Sequence, residues 1–409
     1  MSTQVHANLT EKQVREISDR LGEPEWLLET RLDALAALDD LPFPDVIHTP
    51  GRKWTDLADL DFASFVDPLT AAEEKDLVAP ETEGVEVLPF AEAVDEHEAL
   101  LREHFGSVVD PETNYLTALS TALFSTGTVV YVPRGVTAEN VKIRTTMNSR
   151  SLFNYTLIVT EESASVTILE RQDSGEEAVE GDRYYSGLVE VVAGENAYVQ
   201  YGSLQDLSEE TYNYQLKRGT TDTYGTVNFI DCNIGSRLTK TSVEVALDGD
   251  ASETKIVGAF FGHEDQHFDV DARVWHNAEH TTADLVTRGV VDDHARSVYE
   301  GVQHVGREAW DTNSYQRENT LMLSDESEAD ASPKLIINNH DTEASHAATV
   351  GQVDAEDLFY MTSRGVHERL AKNMLVEGFF VPVLEEIAVD ELREDMQSRI
   401  RDRLRARTK

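Results

Sequence analysis

The sequence predicts a mainly β chain, a solenoid-like core held between two helical regions. Three observations lead there. Apolar residues alternate with period two in short runs for more than 200 residues, with no helical pattern of useful length between them. Short acidic or glycine turns recur between the runs, and an alanine opens the next run. Both ends of the chain instead carry apolar residues at helical spacing.

Taken in order, Thr10 and Gln13 form a capping box before Val14, Ile17 and Leu21, and Gly22 closes that helix. Pro24 suits the start of a second helix carrying Trp26, Leu27, Leu35 and Leu38, which the prolines of Leu41–Asp45 end. Further helices are expected near Glu92–Phe105 and Pro111–Phe124, completing a helical region over 1–125. The β core spans 126–352. Its alternating runs include Phe153/Tyr155/Leu157/Val159, Val166/Ile168, Val199/Tyr201, Val227/Phe229 and Val243/Val245/Leu247. Its turns include Glu161–Ala164, Gly194–Ala197, Gly249–Ala251 and Asp292–Ala295. A doubly wound sheet or a TIM barrel is excluded, because each strand there is followed by a helix. The irregular spacing of the turns leaves a β-sandwich as the alternative to stacked coils. Residues 353–409 return to helix: Ala355–Ser363 capped at Arg364-Gly365, a second helix bearing Pro382, and a last one from about Val389 with arginines at 399, 401, 403, 405 and 407. That arginine run is either a solvated helix end or a docking surface.

Composition narrows the function. The 409 residues carry 77 acidic and 35 basic side chains, a formal charge of −42, and only 10 of the basic residues are lysine. Such a surface repels nucleic acid and anionic membranes. It also points to a protein adapted to a high-salt cytosol, where repulsion is screened within about 3 Å. The one cysteine, Cys232, allows neither an internal disulfide nor a cluster held by several thiolates of this chain alone. The first residues have no basic segment followed by an apolar core, and no run approaches the ~20 apolar residues of a membrane span, so a cytoplasmic protein is expected.

Motifs of known chemistry are weak. His263-Glu-Asp-Gln-His267 spells HExxH, but strand-like runs flank it, and in an extended strand residues four apart lie over ~13 Å apart, too far to share a metal. His276 and His280 with Asp269 and Asp271 are a candidate metal cluster, or else polar residues capping turns. A P-loop and a nucleophile elbow are both missing, and acidic pairs such as Asp292-Asp293 are expected by chance in so acidic a chain. His346 closes the last strand-like run, within Thr342–Gly351, where a core or turn histidine is the plain reading.

Several segments resemble the SufB/SufD family. They are Lys255–Gly258, Gln266–Asp269, Arg288-Gly289, Gly301, Leu323–Asp325, Ser345-His346, Ala348–Gly351, Leu358–Gly365 and Glu377–Phe379. The resemblance runs over essentially the whole chain. It implies a right-handed parallel β-helix between helical regions, and a non-catalytic subunit of the iron–sulfur cluster assembly scaffold. It further implies pairing with SufB through the β-helices and binding of the SufC ATPase, which holds the ATP, through the C-terminal helices. No cofactor is then held stably by this chain, and iron or a nascent cluster is shared transiently with SufB. Ser345-His346 and the absence of a thiol there match the SufD branch, in which His346 is the proposed interfacial ligand. Glu343 and His340 are weaker candidates, and Ala344 stands where many bacterial relatives have cysteine. Phe359, Tyr360, Arg364, Gly365, Val366, Glu377, Phe379 and Phe380 are the expected partner-binding residues. A homodimeric scaffold is the first alternative and a carbohydrate-active β-helix enzyme the second.

Overall fold

The computed structural model describes residues 9–42, 46–49, 52–56, 73–175, 181–387 and 389–406. Phe43–Asp45 of the proline-rich segment and Arg407 lie outside them. From Thr126 the chain lays down strands alternately in two nine-stranded sheets, so that each coil gives one strand to each sheet. In the first sheet the parallel strands run from Thr137–Met147 through Ser165–Ser174, Tyr198–Asp206, Thr226–Asn233, Glu253–Gly262, Thr282–Val291 and Thr312–Met322 to Thr342–Gln352. In the second they run from Thr126–Val132 through Ser151–Thr160, Arg183–Ala193, Thr211–Thr221, Leu238–Leu247, His267–His276 and Arg296–Val305 to Glu328–Ile337. This is a two-sheet parallel solenoid, not a sandwich. Its strands pair in register with those of the next coil, as Tyr198 with Thr226 and Asp284 with Tyr315. The period-two alternation therefore puts one side chain set inside every coil. Val166, Ile168, Val199, Tyr201, Val227, Phe229, Val243 and Val245 form one continuous interior core.

The recurrent turns stack as well. Ser163, Asn196, Tyr224, Ala251 and His280 all take left-handed backbone angles, with φ between 55° and 60°. Each amide of this column donates along the solenoid to a carbonyl of the following coil, from Ser163 to Glu195 at 2.8 Å and from His280 to Trp310 at 2.7 Å. A left-handed residue other than glycine costs roughly 1–2 kcal/mol, and the interlocked hydrogen bond of each turn offsets it. At Gly249 the backbone passes so close to the previous turn that a Cβ would lie 2.0 Å from the Asp222 carbonyl carbon, which explains the glycine. Of the alanines that open runs, Ala164, Ala197 and Ala295 are buried; Asp292–Ala295 belongs to the opposite row of turns.

At the N-terminal end of the solenoid two further strands join the sheets. Glu73–Val78 pairs antiparallel with Thr137–Met147, and Glu86–Pro89 with Thr126–Val132. The capping box at Thr10 opens α1 (Glu11–Leu21), followed by α2 (Glu25–Ala37), α3 (Phe90–Glu96), α4 (Glu98–His104) and α5 (Tyr115–Leu123). The expected helix at 92–105 is thus two short helices broken at His97. They pack on the outer face of the second sheet, where Phe90, Phe124 and Phe153 share a core with Tyr155 and Tyr184. Inside this region Arg31 is fully buried, bonded to both oxygens of the buried Glu23 at 2.6 and 2.7 Å, with its guanidinium 3.6 Å from the Phe124 ring centre.

After the last coil come α6 (Ala355–Ser363), α7 (Glu368–Leu384) and α8 (Asp390–Ala406). The last two double back over the outer face of the first sheet. Phe380 stacks on Phe261 at 6.4 Å, and Leu392, Met396 and Ile400 join Leu204, Ile230 and Cys232 in one core. The arginine run is resolved by this docking: Arg399 reaches Asp206 at 2.9 Å, and Arg403 reaches Glu209 at 3.1 Å and the Ile234 carbonyl at 3.2 Å. Arg399 and Arg403 thus meet carboxylates of the chain's own solenoid, while Arg401 pairs with Glu377 of α7 and Arg405 with Asp402 of its own helix.

Candidate functional site

The C-terminal end of the solenoid differs from the other. Glu328–Ile337 and Thr342–Gln352 are the terminal strands of the two sheets, and most of their side chains are half-buried or exposed. Ile336, Ile337 and Val350 stand exposed there. His346 lies in the middle of the last strand and is exposed. Its orientation follows from register. His346 pairs with Gln316, and along Thr312–Met322 the residues Ser314, Gln316, Glu318 and Thr320 are buried inside while Tyr315 and Arg317 are exposed outside. Side chains alternate with period two, so Ala344, His346, Ala348 and Val350 belong to the inner face at the mouth of the solenoid. Glu343, three residues from His346, belongs to the outer face, with Tyr315 Oη 3.5 Å away. The structure therefore does not bring Glu343 and His346 onto one side. His340 sits at the preceding turn, edge-on to Trp310 with ring centres 5.1 Å apart.

Under the mouth the interior is polar, which the sequence reading missed. Gln316 Nε2 donates to Tyr299 Oη at 3.4 Å, and Gln303 Nε2 donates to the Tyr315 carbonyl at 2.8 Å. The Glu318 carboxylate accepts from the Thr320 hydroxyl through Oε1, while Oε2 has no partner among the described residues. Burial pushes this carboxyl up to about 7, the Thr320 hydrogen bond offsetting only part of the effect. The signal available in the sequence was Gln316 and Glu318 at the inward parity of an otherwise ordinary strand.

The remaining candidates fall apart as metal ligands. His263 is in a turn whose Glu264 has φ 51°, and His263 Nε2 lies 3.0 Å from Glu209; His267 opens the next strand, and burial pushes it down to about 4. His276 faces inward, with Nδ1 2.7 Å from Thr281 Oγ1, while Asp269 and Asp271 sit at odd spacing from it on the outer face, paired with Lys240 and Arg273. His280 is exposed, 2.8 Å from Asp311. Among the described residues no group of three or more His, Cys, Asp and Glu converges to hold a metal ion. Cys232 is buried under the C-terminal helices, and burial pushes its thiol far up, so it takes no part at the mouth.

The expected partner-binding residues divide. On α6 no residue is buried, and Phe359 and Tyr360 are 72% and 60% exposed. Arg364 lies over the Tyr360 ring at 5.0 Å, and Gly365 takes φ 90° at the helix end. Val366 and Glu377 are half-buried, and Glu377 accepts from Arg401 at 3.2 Å. Phe380 is fully buried on Phe261 and cannot meet a partner as placed; its helical spacing put it on the face that α7 buries. Phe379 is half-buried, with the Arg288 guanidinium 4.9 Å from its ring centre. Besides them α7 exposes Leu370, Met374 and Val381.

The fold and its last coil define the class: a two-sheet parallel solenoid flanked by helices, with a histidine on the inner face of the coil that ends it among the described residues. The comparisons give that class its family. Residues 143–379 match the SUF system FeS cluster assembly SufBD core domain, and residues 65–143 match the SufBD protein N-terminal region. An iron–sulfur cluster assembly SufBD family protein of Staphylococcus haemolyticus is 30% identical, over 93% of this chain and 90% of its own length. One of Staphylococcus saprophyticus is 29% identical over the same shares. The iron–sulfur cluster assembly protein SufB of Bacillus subtilis is 28% identical, again over 93% and 90%. The chain belongs to the SufBD family of iron–sulfur cluster assembly proteins. The carbohydrate-active reading has no support in these matches. Among the described residues no helix is long and apolar enough to cross a membrane.

Proposed function

We propose that this chain is the SufD-type, non-catalytic subunit of a cluster-assembly scaffold, working in the cytosol of a salt-adapted cell. It pairs with a SufB-type solenoid through the open mouth, lends His346 to an iron or nascent-cluster site shared across that junction, and binds a SufC-type ATPase through α6 and α7. The observation that carries this reading is the open last coil with His346 on its inner face. Unpaired edge strands are an aggregation hazard unless another chain covers them. A neutral imidazole suits iron, and with Cys232 buried elsewhere the thiolates of any cluster come from the partner.

The apolar surface of Phe359, Tyr360, Leu370 and Met374 suits an ATPase subunit, and α7 is tied to the solenoid beneath it. Arg288 donates to the Phe379 carbonyl, Lys255 pairs with Glu386, and Phe380 stacks on Phe261. A pull on α6 and α7 is thereby delivered to strands Glu253–Gly262 and Thr282–Val291.

The test is co-expression with SufB- and SufC-type partners and purification in high salt, with iron and acid-labile sulfide measured per complex. His346→Ala is expected to lose iron and sulfide while the complex stays whole. Equal loading would remove His346 from the site. A second copy of this chain could cover the same open edge, so sedimentation with and without the SufB-type partner decides between heterodimer and homodimer.

A further inference from the structure

The inner face of the solenoid mouth holds more than His346. Directly below it in register lies Gln316, and diagonally below lies Glu318, each 1% exposed. In-register neighbours on adjacent strands are about 4.8 Å apart, and diagonal neighbours roughly 7–8 Å, within reach of long side chains. The Gln316 amide extends across the interior to the second sheet, where Gly301 makes room for it: a Cβ there would lie 1.7 Å from Gln316 Nε2. That amide spends its nitrogen on Tyr299 and among the described residues leaves Oε1 without a partner, as Glu318 leaves Oε2. Around them the coil is lined with small side chains. Ala344 and Ala348 flank His346 on its strand, and Ala329 and Ala331 edge the interior core from the second sheet.

Buried polar oxygens without partners are rare in folded proteins, and a buried carboxylate oxygen is the costliest kind. Here two of them lie within one coil, under an exposed imidazole. The combination is one nitrogen, one carboxylate oxygen and one amide oxygen, a set that suits a divalent first-row cation of the ferrous class and leaves coordination positions open.

We propose that Glu318 and Gln316 join His346 as a half-site for one ferrous-class divalent cation, held just inside the mouth of the solenoid. The inference deepens the role given above to His346 and rests on it. Glu318 supplies the charge and Gln316 a neutral oxygen, while the imidazole closes the site from the exposed side. A partner covering the mouth then meets a cation already seated in this chain.

Co2+ is the probe, titrated anaerobically into the purified full-length chain in high salt. Its visible d–d bands and calorimetry report affinity. One Co2+ per chain is expected, with His346→Ala and Glu318→Gln each weakening binding by about tenfold or more, and Gln316→Leu by less. Glu318→Gln keeps the shape and hydrogen bonding of the protonated acid, so a merely structural role would leave Co2+ affinity unmoved. Weakening by His346→Ala alone would overturn the role of Glu318 and leave the histidine standing. Weakening by Glu318→Gln alone would remove the histidine and with it the half-site. No Co2+ binding, or binding indifferent to both, would overturn the proposal outright. Should Glu318→Gln fail to fold, Glu318→Asp draws the carboxylate back by one methylene, and unchanged affinity in that variant would count against the site equally.

Discussion

The two ends of the solenoid are finished differently. A terminal coil exposes the edges of two sheets and one side of the interior core, and stacked coils bury only against a neighbour. At the N-terminal end two antiparallel strands extend the sheets by one strand each, and α1–α5 pack Phe90, Phe124 and Tyr155 on the outer face of the second sheet. At the C-terminal end no described strand pairs beyond Glu328–Ile337 and Thr342–Gln352, small inner residues such as Ala344 and Ala348 flank His346, and the following helices pass over the outer face of the first sheet. The exposed last coil, with His346 on its inner face, is the feature on which the proposed pairing rests.

Perturbations sharpen that contrast. The largest losses of stability are expected where the chain packs against itself. Phe380→Ala should cost about 3–5 kcal/mol by opening a cavity against Phe261, whereas Phe359→Ala should change stability by no more than about 0.5 kcal/mol and weaken only the ATPase contact. Denaturant titration and pull-down of both variants check this; equal destabilisation would place Phe359 in a core. In the N-terminal helical region, Glu23→Ala leaves the buried Arg31 guanidinium without its carboxylate and should cost about 3–5 kcal/mol. A loss under about 1 kcal/mol, well short of the cost of a stranded buried charge, would show that the N-terminal cap is loosely held.

A third effect is pH-dependent and lies in the interior between the two ends. Burial pushes His276 down to about 4, with His304 nearby adding to the shift, against about 6.5 for a free imidazole. A depressed histidine contributes stability that is present above about pH 6.5 and is lost as the pH falls toward 4. Between pH 6.5 and 5 the loss is about 2 kcal/mol, and His276→Gln should flatten that part of the profile in high-salt melts. A slope identical to that of the native chain would mean other groups dominate acid unfolding.

The smallest stability change belongs to the mouth. Val350→Asp should leave the chain's own melting within about 0.5 kcal/mol, yet weaken pairing with a SufB-type solenoid roughly 100-fold or more, since it would bury an unpaired carboxylate in the junction. Intact pairing would move the interface away from the open end.

Much of this was legible locally. Alternation in Val166/Ile168 or Val243/Val245 and the capping box at Thr10 report backbone preferences that hold wherever the segment sits. Glu73–Val78 was not legible, because Glu-Glu-Lys-Asp-Leu-Val lacks apolar alternation and becomes a strand only by pairing with Thr137–Met147. Phe380 was assigned to a surface and proved to be core, since helical spacing shows that a stripe is apolar without saying which sheet will bury it.

The sequence by itself determined the solenoid between helices, the turn positions and the family, because these depend on periodicity, on close backbone approaches that residues such as Gly249 permit, and on motifs read in order. Only the tertiary structure decided that His346 faces inward over Gln316 and Glu318 while Glu343 faces out, and that Arg399 and Arg403 of α8 answer carboxylates about 190 residues away in the chain. Those outcomes depend on register between coils and on helix docking, which bring together residues whose local sequences carry no trace of one another.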